Sequence, residues 1–282
     1  MTTKGKPYLF LAPTLLILAV VTLYPLFYVF WLSLHRRLLI FDISKFIGLE
    51  NYGFLLRDDR FWNALYNTVY FTAVSVFLEL ILGLAIAMLL NRGFKGKGIM
   101  RSIILVPWVI PTVVSAKMWG WMYNPDFGIL NHLLGVNINW LGSPFWALNA
   151  AVFVDVWKTT PFVVLLLMAR LQTIPVDLYR AARVDGASNW YIFRRITLPL
   201  LMPMILIVLI FRTLDAFRVF DVIYVLTGGG PGNTTETLSI YAYKTLFQTL
   251  QFGYGSALAV TIFLSVAITT TFYVKLLKRG TE

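Results

Sequence analysis

Six long apolar runs constrain the fold of this chain more than any other feature of its sequence. They cover residues of about 8–34, 64–90, 102–123, 147–169, 201–226 and 256–276. A helix needs about 20 predominantly apolar residues to cross a bilayer, because backbone groups in hydrocarbon must bond within the helix. The runs are continuous rather than alternating, which argues against a closed β-barrel. The sequence therefore predicts an all-α membrane protein with six transmembrane helices in a single domain over residues 1–282.

The composition agrees with a bilayer as the solvent. Apolar residues make up 59% of the chain and charged residues only 13%, whereas a soluble domain is nearer half apolar and a quarter charged. The net charge of +11 could indicate a nucleic-acid partner. However, the basic residues form short clusters beside the apolar runs, which is typical of the positive-inside rule and not of a phosphate-binding face. No nucleic-acid partner is expected.

The distribution of Lys and Arg predicts the orientation. With the N-terminus inside, 14 basic residues fall in inner segments, six in outer segments and four within spans. Inner loops carry the excess of basic residues in membrane proteins. We therefore expect a multi-pass protein of the plasma or inner membrane, with both termini and the loop at about 170–200 in the cytoplasm.

Several chemistries lack the residues they need. The chain has no cysteine, and His35 and His132 have no nearby partners at metal-ligand spacing, so no metal site is expected. The glycines at 228–232 are not followed by Gly-Lys-Ser/Thr, so they do not form a phosphate-binding loop. A membrane-embedded enzyme would need a nucleophile and a base at suitable spacing, and none stands out. The chain itself is not expected to hydrolyse nucleotide.

The middle spans contain prolines, which free backbone carbonyls. Pro107 and Pro111 lie in the third run, Pro161 lies in the fourth, and Pro199 and Pro203 open the fifth. Simple kinks are one explanation for each proline. Their concentration favours a pathway through these spans, because broken helices at membrane depth persist where they face protein or a cavity.

Charged residues inside the predicted spans mark the same region. In the fifth run, Arg212, Asp215, Arg218 and Asp221 follow one another at three-residue steps and could pair as a ladder along one helix. Glu79 and Lys117 are more isolated. These charges could be interhelical salt bridges, or they could line a pathway for ions or, together with aromatic rings, for a sugar. The candidate pathway residues are Asp155, Trp157, Lys158, Thr159, Arg212, Asp215, Arg218, Asp221 and Tyr224.

The segment from Asp177 to Pro203 is too polar for the bilayer interior. It contains four arginines and two aspartates, and it reads as two short helices broken at Gly186. Asp177 is predicted to cap the first helix and Ser188 the second. Such a segment could dock on another protein, or it could be a basic amphipathic helix that lies on anionic lipid.

The spacing within this segment resembles the EAA motif of ABC importer membrane subunits. The residues that carry the resemblance are Arg180-Ala181-Ala182, Gly186 and Ile196-Thr197-Leu198-Pro199. Asp185-Gly186-Ala187, Phe193 and the TLPLL run at 197–201 resemble the carbohydrate-uptake branch. The resemblance extends over nearly the whole chain, through FIGLENY at 46–52, WKTTPF at 157–162, FRTLDAFRVFDVIYVLTGG at 211–229 and GYGSA at 253–257. Together these segments look most like permeases of trehalose/maltose-type importers.

The resemblance implies a type I importer permease fold and the translocation subunit of an ATP-driven importer for an α-linked disaccharide such as trehalose or maltose. It implies a second permease in a heterodimer, two ATP-binding subunits that carry ATP and Mg, and an extracellular solute-binding protein. No cofactor is expected on this chain. The implied ATPase-coupling residues are Arg180, Ala181, Ala182, Asp185, Gly186 and Ala187. Another sugar or a polyol is an alternative substrate, and an ion-coupled secondary transporter is an alternative class, although that class would need no ATPase-docking loop and often shows an internal repeat.

One position departs from the motif, which usually begins with Glu where this chain has Arg180. If Asp177 is the N-cap, Arg180 occupies the third helical position, where Glu would complete a capping box. A basic residue there would cost about 0.3–1 kcal/mol of helix stability. We expect a compensating acidic site on the partner subunit.

Overall fold

The computed structural model describes residues 6–279, with side chains described from 11 to 275. Lys4 and the side chains of Lys6, Lys278 and Arg279, which contributed to the orientation count, lie outside the described residues. The helices are α1 (Lys6–Ser33), α2 (Glu50–Leu55), α3 (Asp59–Asn91), α4 (Lys97–Val109), α5 (Thr112–Met122), α6 (Ile129–Leu134), α7 (Pro144–Gln172), α8 (Val176–Val184), α9 (Asn189–Ile192), α10 (Leu198–Phe217), α11 (Asp221–Leu226), α12 (Leu238–Tyr243) and α13 (Phe252–Arg279). A π-turn at Phe193–Thr197 joins α9 to α10, and a second one at Lys244–Gln248 follows α12. The hairpin strands are β1 (His35–Leu38) and β2 (Ile43–Phe46).

Among the residues that the structure describes, five helical stretches are long and apolar enough to cross a bilayer. They are Leu11–Ser33, Asp59–Asn91, Pro144–Leu171, Asn189–Phe217 and Phe252–Lys275. A sixth candidate consists of α4 and α5, which meet at a bend of 94°. The all-α membrane architecture expected from the six apolar runs is thereby confirmed.

The third apolar run is broken where the sequence predicted one helix over 102–123. Ile110 is extended, with φ −69° and ψ 132°, and Pro111 is the N-cap of α5. The proline ring disfavours helical backbone in the preceding residue, and proline itself has no N–H to donate. Pro111 thus ends α4, whereas Pro107 lies within α4 without breaking it.

The fifth span begins and ends earlier than the predicted 201–226. Helical structure starts at Asn189, continues through the π-turn into α10, and stops at Phe217. Arg218 and Val219 precede the separate helix α11. Irregular backbone is tolerated at membrane depth where it lines a cavity, and this break does so, as described below.

The chain divides into two compact units, of which the first comprises the described residues up to Trp62 together with Tyr241–Leu264. From Leu11 onward, most α1 side chains are exposed apolar groups, as expected of a lipid-facing helix. The strands β1 and β2 pair antiparallel, with His35 opposite Phe46. The Asp58 carboxylate accepts hydrogen bonds from the hydroxyls of Tyr241 (2.5 Å) and Tyr254 (2.6 Å). Burial, reinforced by the bond to Asp58, raises the pKa of Tyr241 to about 12.

The second unit comprises Asn63–Ile240 and the described residues from Ser265 onward, and it holds two apolar cores. One core joins α3, α5, α7 and α11 around Phe71, Trp119 and Ile223. The other joins α3, α7 and α10 around Leu90, Leu167 and Leu201. Helices α3 and α7 approach so closely that a Cβ on Gly83 would overlap Val163. Small residues permit such contacts between spans. The candidate coupling segment and the intramembrane charges both belong to this unit.

Candidate coupling segment and translocation site

The segment expected to couple to an ATPase forms two short helices, α8 and α9. Helix α8 begins after Pro175, which occupies the N-cap position without a side-chain cap hydrogen bond. The predicted capping by Asp177 is therefore wrong, because Pro175 presets the backbone for helix entry two residues earlier and leaves Asp177 in the first turn. The Asp177 carboxylate instead pairs with the Arg180 guanidinium at 3.2 Å, and both side chains are largely exposed. Arg180 thus has a local counter-charge that the motif's usual Glu would not have.

Helix α8 ends at the predicted glycine. Gly186 has φ +77°, the left-handed conformation that glycine adopts without steric cost. The Ala187 N–H donates to the Ala182 carbonyl at 2.9 Å, and the Gly186 N–H donates to the Arg183 carbonyl at 3.1 Å. This pair of hydrogen bonds forms a Schellman motif. Ser188 then caps α9, since its Oγ accepts from the Tyr191 N–H at 3.2 Å, and the prediction for Ser188 is confirmed.

Each long side of α8 lines a different cavity. We call the side formed by Leu178, Ala181, Ala182 and Asp185 the front face; it borders an open cavity of about 850 Å³ together with Gly186 and Ala187. We call the side formed by Val176, Tyr179, Arg180 and Arg183 the rear face; it borders a second cavity of about 370 Å³. Both sets follow the i, i+3, i+4, i+7 spacing of one helix face. Five of the six predicted coupling residues therefore lie together at the front, and Arg180 lies at the rear.

Two contacts tie this segment to the membrane spans. The Tyr179 and Thr197 hydroxyls share a hydrogen bond at 3.3 Å, which links α8 to the π-turn that leads into α10. The Arg170 Nε near the end of α7 donates to the Leu200 carbonyl of α10 at 3.1 Å. The first contact connects α8 to the segment that leads into α10, and the second holds the start of α10 against the end of α7.

The intramembrane charges meet at Arg212. Its guanidinium is 4% exposed and donates to both oxygens of the fully buried Glu79 carboxylate, from Nε at 2.5 Å and from Nη2 at 2.8 Å. The Glu79 Oε1 also accepts from the Thr159 hydroxyl at 2.6 Å. Bidentate pairs between arginine and carboxylate are among the strongest polar contacts in proteins. This pair joins α3 to α10, and Thr159 adds α7.

Two further carboxylates complete the cluster. Arg212 Nη2 donates to Asp155 Oδ2 on α7 at 3.1 Å, and Nη1 donates to Asp215 Oδ2 one turn along α10 at 2.5 Å. Asp155 is mostly buried, whereas the Asp215 side chain is 67% exposed. The guanidinium thus holds Glu79 in the protein interior and Asp215 at an accessible surface.

The exposed end of the cluster opens onto a cavity of about 220 Å³. We call it the translocation cavity. Six of the predicted pathway residues line it, namely Asp155, Lys158, Thr159, Asp215, Arg218 and Asp221. The aromatic side chains of Trp108 and Phe220 also contribute to its wall. Carboxylates, basic groups and aromatic rings around one cavity can bind a polyhydroxylated ligand through its hydroxyls and its apolar faces.

Three predicted pathway residues lie elsewhere. Arg212 is buried behind the cavity wall and acts on Asp155 and Asp215. Trp157 packs edge-on against Trp119, with ring centroids 5.4 Å apart, and lines a separate apolar cavity. Tyr224 stacks on Phe220 at 5.2 Å and is exposed.

The charge ladder predicted along the fifth span is wrong beyond its first pair. Arg212 and Asp215 pair at i, i+3, but within residues 11–275 no ion pair joins Asp215 to Arg218 or Arg218 to Asp221. Helix α10 ends at Phe217, so these residues do not share one helical face. Arg218 instead donates from Nε to the Leu214 carbonyl at 3.0 Å. The sequence pattern also left Glu79 as an isolated charge, although a lone acid on an apolar span signals a buried cationic partner on another helix.

Comparison with known proteins identifies relatives along nearly the entire chain. A family model described as a binding-protein-dependent transport system inner membrane component matches residues 79–281. The trehalose/maltose transport system permease protein MalF of Thermococcus litoralis is 47% identical over 95% of this chain and 92% of its own length. The trehalose transport system permease protein SugA of Mycobacterium tuberculosis is 44% identical over 98% of this chain and 90% of its own length.

A solved structure has the same fold. A permease chain in the crystal structure of a bacterial alginate ABC transporter, in complex with an alginate pentasaccharide-bound periplasmic protein, matches with a TM-score of 0.85. It covers 98% of this chain and 94% of that chain at 22% identity. The type I importer permease fold is thereby confirmed. This chain belongs to the family of binding-protein-dependent transport system inner membrane components, as a multi-pass permease subunit of an ABC importer.

Proposed function

We propose that this chain is the translocation subunit of an ATP-driven importer for an α-linked disaccharide, with trehalose or maltose as the preferred substrates. The observation that carries the proposal is the likeness to trehalose and trehalose/maltose permeases over almost the entire chain. The chemistry of the translocation cavity supports it, because Asp155 and Asp215 can accept sugar hydroxyls while Trp108 and Phe220 offer apolar ring faces. Another sugar or a polyol would meet the same groups.

The importer consists of this chain, a second and different permease, two ATP-binding subunits and an extracellular solute-binding protein. The family's dependence on a binding protein and the periplasmic protein in the related alginate complex support this composition. ATP and Mg bind on the ATPase subunits, and this permease contributes no nucleotide site of its own. The translocation cavity, at about 220 Å³, is smaller than the range of about 300–1,000 Å³ typical of small-molecule pockets. The second permease supplies the remaining walls.

The front face of α8 is the surface that docks on an ATPase subunit. Leu178, Ala181 and Ala182 form a small apolar patch that side chains of a partner can approach closely, and α8 has no buried residue. Closure of the ATPase pair displaces α8 and, through Tyr179–Thr197 and Arg170–Leu200, the start of α10. Because α10 carries Arg212 and Asp215, that displacement reaches the translocation cavity. Both termini and the coupling segment lie in the cytoplasm.

Reconstitution of the complete complex in proteoliposomes tests this function. We expect uptake of labelled trehalose or maltose that requires the solute-binding protein and internal ATP, and that persists when a protonophore removes the ion gradient. Unlabelled trehalose, maltose, sucrose and a polyol serve as competitors to rank the substrates. Uptake by the purified single chain, driven by an ion gradient without an ATPase, would instead identify an ion-coupled transporter.

A further inference from the structure

The cavity that borders the rear face of α8, here called the rear cavity, lies where the ends of membrane spans meet the coupling segment. Its volume is about 370 Å³. Four rear-face residues form one wall, the last turn of α3 and the residue after it form another, and the end of α7 and the start of the π-turn close it. Its lining includes Met88, Arg92, Leu171, Arg183, Ile192 and Phe193.

This cavity has an excess of positive charge. Three guanidinium groups line it, from Arg92, Arg180 and Arg183. Arg180 pairs with Asp177, but within the described side chains neither Arg92 nor Arg183 takes part in an ion pair. Asn91 of α3 and Asn189 of α9 also line the cavity. Guanidinium groups bind phosphate and carboxylate oxygens in bidentate geometry, so the site matches an anionic group.

The cavity also has an apolar surface. Met88, Leu171, Ile192 and Phe193 line it beside the arginines. Met88 and Leu171 belong to the long apolar helices α3 and α7, near the residues at which these spans end. Basic pockets at the cytoplasmic ends of spans bind anionic headgroups, while the acyl chains remain with the apolar side chains. A soluble anion would use only the polar half of this lining.

We propose that the rear cavity binds the phosphate of an anionic phospholipid from the cytoplasmic leaflet, with Arg92 and Arg183 as its main ligands. The proposal rests on the proposed function, because it places α8 at the cytoplasmic membrane surface. The same helix then has two partners, the ATPase subunit at the front face and lipid at the rear face. An acidic side chain of the ATPase is disfavoured as the partner of Arg92 and Arg183, since Ala181, Ala182 and Asp185 already provide a separate accessible surface for the ATPase, whereas the exposed Arg180 can still meet it at the edge of the cavity.

A lipid bound here bridges α3 and α8. Arg92 follows α3 and Arg183 lies near the end of α8, so a shared phosphate ties the coupling helix to a span that carries Glu79 of the buried cluster. Anionic lipid would therefore strengthen the mechanical connection between ATPase movement and the translocation cavity. The amount of sugar taken up per ATP hydrolysed should therefore rise with the anionic lipid fraction.

Native mass spectrometry of the full-length chain with phosphatidylglycerol, phosphatidylcholine or inorganic phosphate measures the binding directly. We expect phosphatidylglycerol to bind preferentially, and Arg92→Gln or Arg183→Gln to weaken that binding about fivefold each, the ratio that corresponds to about 1 kcal/mol per basic residue. Arg194→Gln is the matched control, because Arg194 is exposed in the same segment and lines neither α8 cavity. Inorganic phosphate that competes as well as the lipid would overturn the lipid assignment.

The functional arm uses the complete complex in nanodiscs with a graded phosphatidylglycerol fraction. Substrate-stimulated ATPase activity of the unmodified complex and of Arg194→Gln should rise with that fraction. In the double variant Arg92→Gln/Arg183→Gln, ATPase activity should depend little on the phosphatidylglycerol fraction. An identical response in all variants overturns the lipid site and leaves the proposed function intact. Loss of ATPase assembly in the double variant, without a change in lipid binding, would assign the cavity to the ATPase. Failure of sugar uptake in every lipid, with lipid binding preserved, would count against the proposed function alone.

Discussion

The guanidinium of Arg212 donates to carboxylates on three helices, which makes it the most consequential single side chain in the membrane region. Taking charged groups out of water is costly, and the attraction between buried partners offsets that cost only when the geometry is good. The bidentate contact with Glu79 and the hydrogen bond from Thr159 meet that condition. Arg212 therefore stabilises the packing of α3, α7 and α10, as interhelical salt bridges do.

Arg212→Gln tests this stabilisation. The substitution leaves the fully buried Glu79 carboxylate without a cation, and breaking a buried pair in this way costs about 3–5 kcal/mol. We expect a lower thermal unfolding temperature and a lower yield of the purified chain. Adding Glu79→Gln to Arg212→Gln should recover much of the loss, because the stranded buried charge is gone. Lys117→Gln, an exposed charge on α5, is the control, and an equal loss in that variant would contradict the role of Arg212.

The carboxylates of Asp155 and Asp215 are the groups of the cluster that reach the translocation cavity. Replacing both with Asn keeps their shape and removes the charges that we propose accept sugar hydroxyls. A hydrogen bond to a charged group contributes about 1.5–3 kcal/mol, so we expect uptake at low sugar concentration to fall by about tenfold to a hundredfold. Asp126→Asn, in an exposed turn, should leave uptake unchanged. Normal uptake by the fully assembled double variant would mean that both carboxylates serve only the packing of the helices.

Residue types in the spans indicated a charged cluster, but they could not indicate its pairing. Asp155, Arg212 and Asp215 stood out because charges are rare in lipid. Glu79 stood out only as an isolated charge without a partner, since Arg212 lies 133 positions along the chain and the contact depends on how α3 packs against α10. Sequence spacing describes neighbours on one helix and carries no information about the rotation of two helices relative to each other.

At the level of elements, the turn between α8 and α9 sets the direction in which the front face of α8 points. Gly186 has φ +77°, and a Cβ added there would meet no atom within 4 Å, so a substitution costs backbone energy only. That cost is about 1–2 kcal/mol for an ordinary side chain, but Asn adopts this conformation readily. We expect Gly186→Val to lower the sugar transported per ATP hydrolysed and Gly186→Asn to preserve it. Gly98→Val is a control at an open position without positive φ, and equal effects of the two valine variants would exclude a role for the turn.

Arg180 stands at the motif position that usually holds Glu, and its side chain is 75% exposed despite its contact with Asp177. Arg180→Glu would place two carboxylates one turn apart and reverse the charge presented to a partner. If the ATPase subunit has a compensating acidic site, the variant should assemble poorly and transport less. Assembly measured in detergent without anionic lipid isolates the protein contact, with Arg194→Glu as the matched control. Undiminished assembly and ATP-coupled transport would contradict an acidic partner site.

Elements were predictable to the extent that local chemistry decides them. Gly186 and Ser188 act locally, through a positive φ and a cap, and both were recognised from the sequence. The sequence suggested Asp177 as the N-cap of α8, but the N-cap is Pro175. Both residues favour a helix start, and local preference alone does not rank them. At α4 the sequence offered two prolines as possible breaks, and only Pro111 makes one. The end of α10 depends on which irregular backbone the tertiary structure tolerates, which local preference does not decide.

For the whole molecule, the bent pair of α4 and α5 decides the topology. If the pair crosses the bilayer, the chain has six spans and the coupling segment lies on the same side as both termini. If the 94° bend returns the chain to the side from which it entered, the five remaining spans place residues 170–200 on the opposite side from the N-terminus. With the N-terminus in the cytoplasm, as the basic residues predict for six spans, docking of a cytoplasmic ATPase on α8 requires the first arrangement.

Single-cysteine labelling distinguishes the two arrangements, and the absence of cysteine from the sequence makes the chain suitable as it stands. Gly93→Cys lies in the loop between α3 and α4 and Asn137→Cys lies in the loop after α6, so the two positions flank the α4–α5 pair, and both are exposed. If the pair crosses the bilayer, a membrane-impermeant maleimide should label Asn137→Cys in right-side-out vesicles and Gly93→Cys only in inverted ones. Both variants must first retain sugar uptake. Labelling of both positions from the same side would make α4 and α5 a re-entrant loop and, with the N-terminus in the cytoplasm, would remove α8 from the reach of an ATPase.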